Sequence, residues 1–297
     1  MLTTRQGAPR MAQANGIELC YDTFGDPNAA PLLLIMGLGA QMIAWDEEFC
    51  ASLASHGYWV IRFDNRDIGL STKFPQAGVP NVLALLTGQG DPTAVPYRLS
   101  DMAEDAVGLM DALGVATAHV VGASMGGAIA QEMAIRHSGR LRTMTSIMSS
   151  TGEPGLPPPT AQAMELLLAP TPTDREAYMA RYAEIWRVLR GPGFPLDEAR
   201  DAERAGRIFE RGLNPAGAAR QLAAIIVSGS RRDALRAVEV PALIIHGDAD
   251  PLVPLGGGIA TAHAIPGAKL VVIPGMGHAL PISMWPRIIE AIVTHAK

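Results

Sequence analysis

A doubly wound, mostly parallel α/β sheet with an inserted helical cap is the architecture this sequence predicts, and three observations predict it. Short apolar runs recur along the chain, several of them without polar alternation, as expected of strands buried on both faces of a sheet. Helical patterns lie between them, so right-handed crossovers can join parallel neighbours. One stretch, residues 152–233, carries helical patterns and no strand signal. At 297 residues the chain is long enough for one large α/β domain or for a core with an insertion.

Taken in order, residues 1–10 are polar and read as a flexible extension, with Met11 an alternative start. Strands are expected over 17–24, 32–36, 59–63, 119–122, 143–148, 242–246 and 270–273. Residues 100–113 form a helix in which Met102, Ala106, Leu109, Met110 and Leu113 repeat at three and four residues. Ser100 is its expected N-cap, Asp101 favours its dipole, and Gly114 ends it. Further helices are expected over 125–137 and 286–295. Residues 73–96, rich in Gly and Pro, form a long excursion between strand and helix. The strand-free stretch opens on Pro154-Gly155-Leu156-Pro157-Pro158-Pro159 and carries helices over 174–189 and 196–211. The expected organisation is thus a core over 1–151 and 234–297, with a cap over 152–233 inserted between.

Composition narrows the function classes. Hydrophobic content of 48% with 18% charged residues describes a well-packed globular chain. A net charge of −5 argues against nucleic-acid binding, which needs a basic surface. Cys20 and Cys50 make neither a disulfide framework nor a metal-ligand spacing and read as reduced core thiols. The N-terminus lacks an apolar secretory region, and no run reaches the length of a membrane span, so a cytoplasmic location is expected. No H-E-x-x-H or clustered ligands call for a metal, and no glycine-rich segment has the spacing of a nucleotide loop, so no cofactor is expected.

The chemistry starts at His119-Val120-Val121-Gly122-Ala123-Ser124-Met125-Gly126-Gly127, an apolar strand entering a G-x-S-x-G turn and then a helix. That context forces Ser124 into a sharp elbow with its hydroxyl proud of the sheet edge, and Gly122 and Gly126 must be small for the turn to close. A serine hydroxyl is a weak nucleophile and needs a base, itself oriented by a carboxylate. Among seven histidines, His278 follows the strand over 270–273 in a glycine-rich loop at the sheet's C-terminal edge. His119 lies inside a strand, His246 meets Gly247 without a loop, and His56, His137, His263 and His295 fall at helix ends or surfaces. The acid comes from Asp248 or Asp250 after the strand over 242–246. Asp248 is placed to pin the turn, and Asp250, further out, is preferred as the partner of His278. Backbone N–H groups of Leu38, in the turn Met36-Gly37-Leu38-Gly39, and of Met125 are the candidate oxyanion donors.

With these residues in hand, the chain resembles the α/β-hydrolase fold family from Gly16 to His295. Asp64-Asn65-Arg66-Asp67-Ile68-Gly69-Leu70-Ser71 looks like that family's loop after its fourth strand, where Asp64 and Arg66 hold loops together. Met36-Gly37, the Arg66-Asp67 loop and Pro274-Gly275-Met276-Gly277-His278-Ala279-Leu280-Pro281 are similar to the serine carboxylesterase branch that includes aclacinomycin methylesterase. Met36 stands where many relatives have His, which leaves the Leu38 amide available. A serine at the elbow counts against dehalogenase and epoxide hydrolase chemistry, which the resemblance says would use an aspartate.

The leading reading is a serine ester hydrolase with a Ser124-His278-Asp250 triad, acting on a small-to-medium hydrophobic carboxylic ester through an acyl-enzyme. The other readings are a cofactor-free perhydrolase of haloperoxidase type, a carbon–carbon bond hydrolase, and a hydrolase-like protein that binds a ligand without turning it over. Met164, Leu167, Tyr178, Trp186, Phe194 and Phe209 in the cap are candidates for the substrate pocket, against packing of the cap onto the core. Long lipid chains and polyketide methyl esters stay within range, and the oligomeric state is not legible.

Overall fold

A computed structural model gives the structure of residues 8–297. Residues 1–7 of the expected extension lie outside that range. Arg10, the last of the ten, instead opens an edge strand, β1 (Arg10–Ala14), paired antiparallel with β2 (Ile17–Phe24). Asn15 and Gly16 both take left-handed backbone angles, φ 49° and 76°, and close the hairpin in two residues. An Asn-Gly pair tolerates that geometry best, so the local signal for this unexpected strand lay in the dipeptide.

The remaining strands are β3 (Ala30–Ile35), β4 (Tyr58–Phe63), β5 (Ala118–Ala123), β6 (Leu141–Ile147), β7 (Ala242–Gly247) and β8 (Lys269–Ile273). They form one sheet in the order β1-β2-β4-β3-β5-β6-β7-β8, parallel from β4 onward. Alternation along the strands divides the core. Leu33, Ile35, Val120 and Met144 face α3 (Leu99–Ala112) and α4 (Met125–Arg136), packing on Met102, Leu109, Ile129 and Met133. Leu32, Leu34, Val121 and Ile147 face the other way, onto Phe49 and Leu53 of α1 (Glu47–Ser55) and Ile288 and Ile292 of α11 (Trp285–His295). Both faces of the central strands are therefore covered, which is why their sequences read as unbroken apolar runs.

The expected N-cap of α3 is corrected. The helix begins at Leu99, so Ser100 lies inside its first turn. Asp101 accepts the Arg98 N–H at 2.7 Å, and the Leu99 N–H goes to the Ser228 hydroxyl at 3.0 Å. A tertiary contact has taken over what the local sequence offered to Ser100.

Residues 73–96 contain α2 (Val82–Leu86) among turns. Between β6 and β7 the chain is helical: α5 (Ala161–Leu168), α6 (Arg175–Leu189), α7 (Glu198–Glu210), α8 (Pro215–Ser228) and α9 (Arg232–Leu235). Thr160, Asp174 and Asp197 cap the first three by accepting N–H groups of Ala163, Ala177 and Arg200. α10 (Gly256–Ala264) lies between β7 and β8. Among the described residues no helix is long and apolar enough to cross a membrane.

Polar contacts seat the helical segment on the core. Asp67 is buried and accepts both Nε and Nη2 of Arg220, at 2.8 and 2.7 Å, and the Tyr97 hydroxyl at 2.7 Å. Burial alone would raise the Asp67 carboxyl, and Arg220 with Tyr97 more than offsets it, leaving it below the usual range. Asp64 accepts the N–H groups of Met42 and Leu70 and pairs with Arg211 at 2.5 Å, while Arg66 pairs with Asp105. On the far side of the segment, Arg200 and Arg204 of α7 meet Asp46, and Arg207 meets Glu47, at the start of α1.

Cys20 and Cys50 are separate and buried, and burial pushes their thiols up to about 11 and about 12. His119 lies in β5, its Nδ1 2.9 Å from the Thr143 hydroxyl and its ring edge-on to Tyr58. Burial, helped by Arg142 and His295, pushes it from 6.5 down to about 4. Between those values the unfolded chain binds the proton more readily, so stability falls as pH drops through that window. Urea midpoints across that range should fall less steeply in His119→Gln than in wild type; equal slopes would exclude the histidine as their source.

Candidate active site

Ser124 holds φ 55° and ψ −120°, a conformation a side chain rarely adopts, at the junction of β5 and α4. Close backbone packing fixes it there. A Cβ on Gly122 would lie 2.0 Å from the Gly126 carbonyl oxygen, and one on Gly126 would lie 2.1 Å from that of Ile35. The Ser124 N–H meanwhile donates to Ile147 O of β6 at 2.9 Å. Glycine at 122 and 126 is thus a packing requirement.

His278 arrives on the loop after β8 and Asp250 on the loop after β7, both beside the end of β5. His278 Nε2 lies 2.9 Å from Ser124 Oγ, and its Nδ1 lies 2.8 Å from Asp250 Oδ2. An ionised carboxylate only accepts, so Nδ1 carries the proton toward Asp250 and Nε2 is left to accept from the serine hydroxyl. The other oxygen of Asp250 accepts the N–H groups of Leu252 and Val253, at 2.9 and 2.8 Å. Its rival Asp248 accepts the Gly275 N–H at 2.6 Å and pins the start of the histidine loop. His246 approaches Asp250 Oδ2 only to 3.6 Å, directs Nε2 to Val253 O, and is held below its ordinary pKa by burial.

The turn after β3 passes directly over the serine, since a Cβ on Gly37 would lie 3.0 Å from Ser124 Cβ. Asn65 donates to Met36 O at 2.9 Å, and Gln221 of α8 accepts the Gly39 N–H at 2.9 Å while donating to Arg66 O at 2.8 Å. Among the described residues, neither the Leu38 N–H nor the Met125 N–H finds an acceptor.

These groups meet at a cavity of about 500 Å³ bounded by the core and the helical segment. Of the pocket residues expected from sequence, Leu167, Tyr178 and Trp186 line it, and Met164, Phe194 and Phe209 do not. Phe194 packs on the core beneath α1 and α11, Phe209 lies against the Tyr178 ring at 5.7 Å, and Met164 is half-buried on α5. Tyr182, Ile185 and Leu189 join the wall unforeseen. With Tyr178 and Trp186 they repeat at helical spacing along α6, so its periodicity carried the missing signal. Several charged groups on the wall are paired: Arg190 with Asp201, Arg200 and Arg204 with Asp46, and Arg181 with Glu184.

A family model described as the alpha/beta hydrolase fold matches residues 30–283. The chain belongs to the α/β-hydrolase fold family. Rhodomycin D methylesterase DauP of Streptomyces sp. (strain C5) is 32% identical, the match covering 97% of this chain and 98% of that protein. Rhodomycin D methylesterase DnrP of Streptomyces peucetius is 33% identical over the same shares. The fold is also that of an enol-lactonase from Burkholderia xenovorans LB400, with a TM-score of 0.72 at 24% identity, covering 96% of this chain and 99% of that one. In this α/β-hydrolase, Gly122→Ala should lower stability by about 1–3 kcal/mol, the usual cost of overpacking. Denaturant unfolding measures it, and a variant as stable as wild type would contradict the close contact at Gly126.

Proposed function

We propose that this α/β-hydrolase is a carboxylic ester hydrolase that works through an acyl-enzyme on Ser124. The observation that carries the reading is the hydrogen-bonded series Ser124–His278–Asp250 at a largely apolar cavity. Ser124 Oγ attacks the ester carbonyl carbon as its proton passes to His278 Nε2. Charge develops on the carbonyl oxygen and is met by the Leu38 and Met125 amides, with the α4 N-terminus adding its dipole. Asp250 holds the imidazole in the required tautomer and stabilises the imidazolium. The carbon–oxygen bond to the alcohol then breaks, and Nε2 returns the proton to the leaving oxygen. Water, deprotonated by Nε2, attacks the acyl carbon; the bond from that carbon to Ser124 Oγ breaks, Nε2 returns the proton to Oγ, and the acid is released.

The substrate is proposed to be a small-to-medium hydrophobic ester, with the helices over 152–233 acting as a cap. A pocket of about 500 Å³ falls in the size range of sites that enclose drug-sized ligands. The full-length methylesterase relatives favour methanol as the leaving alcohol, so that the cavity holds the acid. The cytoplasmic location belongs to the same proposal.

An ester panel that varies acid and alcohol separately tests this. Wild type should respond mainly to the acid, and Ser124→Ala should lose at least about 10⁴-fold in kcat. Equally slow turnover by both proteins across the panel would end the enzyme reading, and faster halogenation with hydrogen peroxide than ester cleavage would favour the perhydrolase. Gln221→Leu frees the Gly39 amide and should lower kcat about tenfold or more with little change in KM, because a displaced oxyanion donor acts on the transition state. A change in KM alone would assign Gln221 to substrate binding.

A further inference from the structure

The loop carrying His278 takes half of its backbone partners from the helical segment. The His278 N–H donates to Leu189 O at 2.6 Å, and the Gly277 N–H donates to Arg190 O at 2.9 Å. In return the Gly193 N–H donates to Gly275 O at 3.0 Å. Leu189 O and Arg190 O lie at the last residue and the C-cap of α6, where a helix has no partners of its own to offer. The histidine loop therefore caps α6, and α6 holds the histidine loop.

No side chain fits between the two. A Cβ on Gly277 would lie 2.2 Å from Leu189 O, one on Gly191 2.5 Å from Gly277 N, and one on Gly193 2.7 Å from Gly275 Cα. Residues 191–193 and 275–277 interlock backbone to backbone, so a shift of one is carried to the other. The α6 turn is itself anchored through Arg190. Its buried guanidinium bonds Asp201 of α7 and reaches Pro195 O at 3.4 Å. Asp201 lies one residue from Arg200, through which α7 is tied to Asp46 of the core.

We infer that Arg190 and Asp201 are positioning residues for His278: the seated α6 turn sets the imidazole between Ser124 and Asp250, and a displaced helical segment leaves the site unassembled. The inference rests on the hydrolase reading above and adds what the cap does beyond roofing the cavity. Opening the segment to admit substrate and carrying out the reaction become mutually exclusive states of one element.

Gly193→Ala tests this from the cap side. Gly193 does not line the cavity, and the nearest atoms to its added methyl are backbone atoms of Gly275. Asp201→Asn releases Arg190 without adding bulk, and Asp201→Glu restores the charge. Gly206→Ala, on α7, is the control, because its methyl meets nothing closer than an Arg175 guanidinium nitrogen at 3.3 Å. Three readouts are compared: kcat and KM on a p-nitrophenyl ester, the rate of phosphonate labelling, and the downfield proton resonance of His278 Nδ1–H, identified by its loss in His278→Ala. Gly193→Ala and Asp201→Asn should each lose about 10- to 100-fold in kcat and labelling rate, the scale of a small misplacement of a reacting group. KM of Gly193→Ala should stay near wild type, the resonance should shift or broaden in both, and Asp201→Glu should recover part of the loss. Wild-type kcat, labelling and resonance in Asp201→Asn would overturn the inference, even if Gly193→Ala failed to fold. A wild-type protein inert to ester and phosphonate would instead overturn the hydrolase reading, and the resonance would still judge the coupling.

Discussion

Backbone contact at the end of β5 is the constraint on which the rest of the site depends. Ser124 can hold its left-handed conformation only while Gly122, Gly126 and the end of β3 touch without side chains between them. That conformation is unfavourable for an isolated serine by about 1–3 kcal/mol, and it persists because the strand before it and the helix after it are each buried on the sheet. The same crowding brings the turn after β3 across the serine, so one packing arrangement presents the hydroxyl together with the Leu38 and Met125 amide groups, which find no acceptor among the described residues.

Around that rigid point the other parts are held by longer-range polar contacts. Asp64 and Asp67, both on the loop after β4, reach Arg211, Asn214 and Arg220 of the helical segment. Gln221 ties the same segment to the turn that carries Leu38, and the α6 turn ties it to the loop that carries His278. Buried pairs such as Asp67–Arg220 need not add net stability over apolar packing, but breaking one partner leaves a buried charge unmatched. Their directional geometry fixes where the helices sit, which apolar contacts alone would do less sharply.

The parts legible in the sequence were those written locally. The central strands announced themselves as apolar runs because both sheet faces are covered, and the elbow announced itself through glycines that tolerate no side chain. Loop position favours Asp250 over Asp248, and the structure places Asp250 against His278 while Asp248 holds the Gly275 amide. What was not legible depended on distant partners. Ser100 looked like a cap because Ser228, far along the chain, cannot be seen from the local sequence. The first strand, Arg10–Ala14, carries no apolar run, and only Asn15-Gly16 marks its hairpin. Phe194 and Phe209 looked like pocket residues by composition, whereas the α6 face decides the wall. Arg220 and Asp67 carry no local sign of pairing across such a separation.

Whether Ser124 becomes acylated is the question on which the functional account turns, and a pre-steady-state experiment with p-nitrophenyl acetate answers it most directly. The account predicts a burst of p-nitrophenol close to one equivalent of enzyme, with acid-quenched protein carrying the acetyl group on the peptide that contains Ser124. Turnover without a burst, with no acetylated Ser124 peptide and with an equal rate in Ser124→Ala, would contradict it.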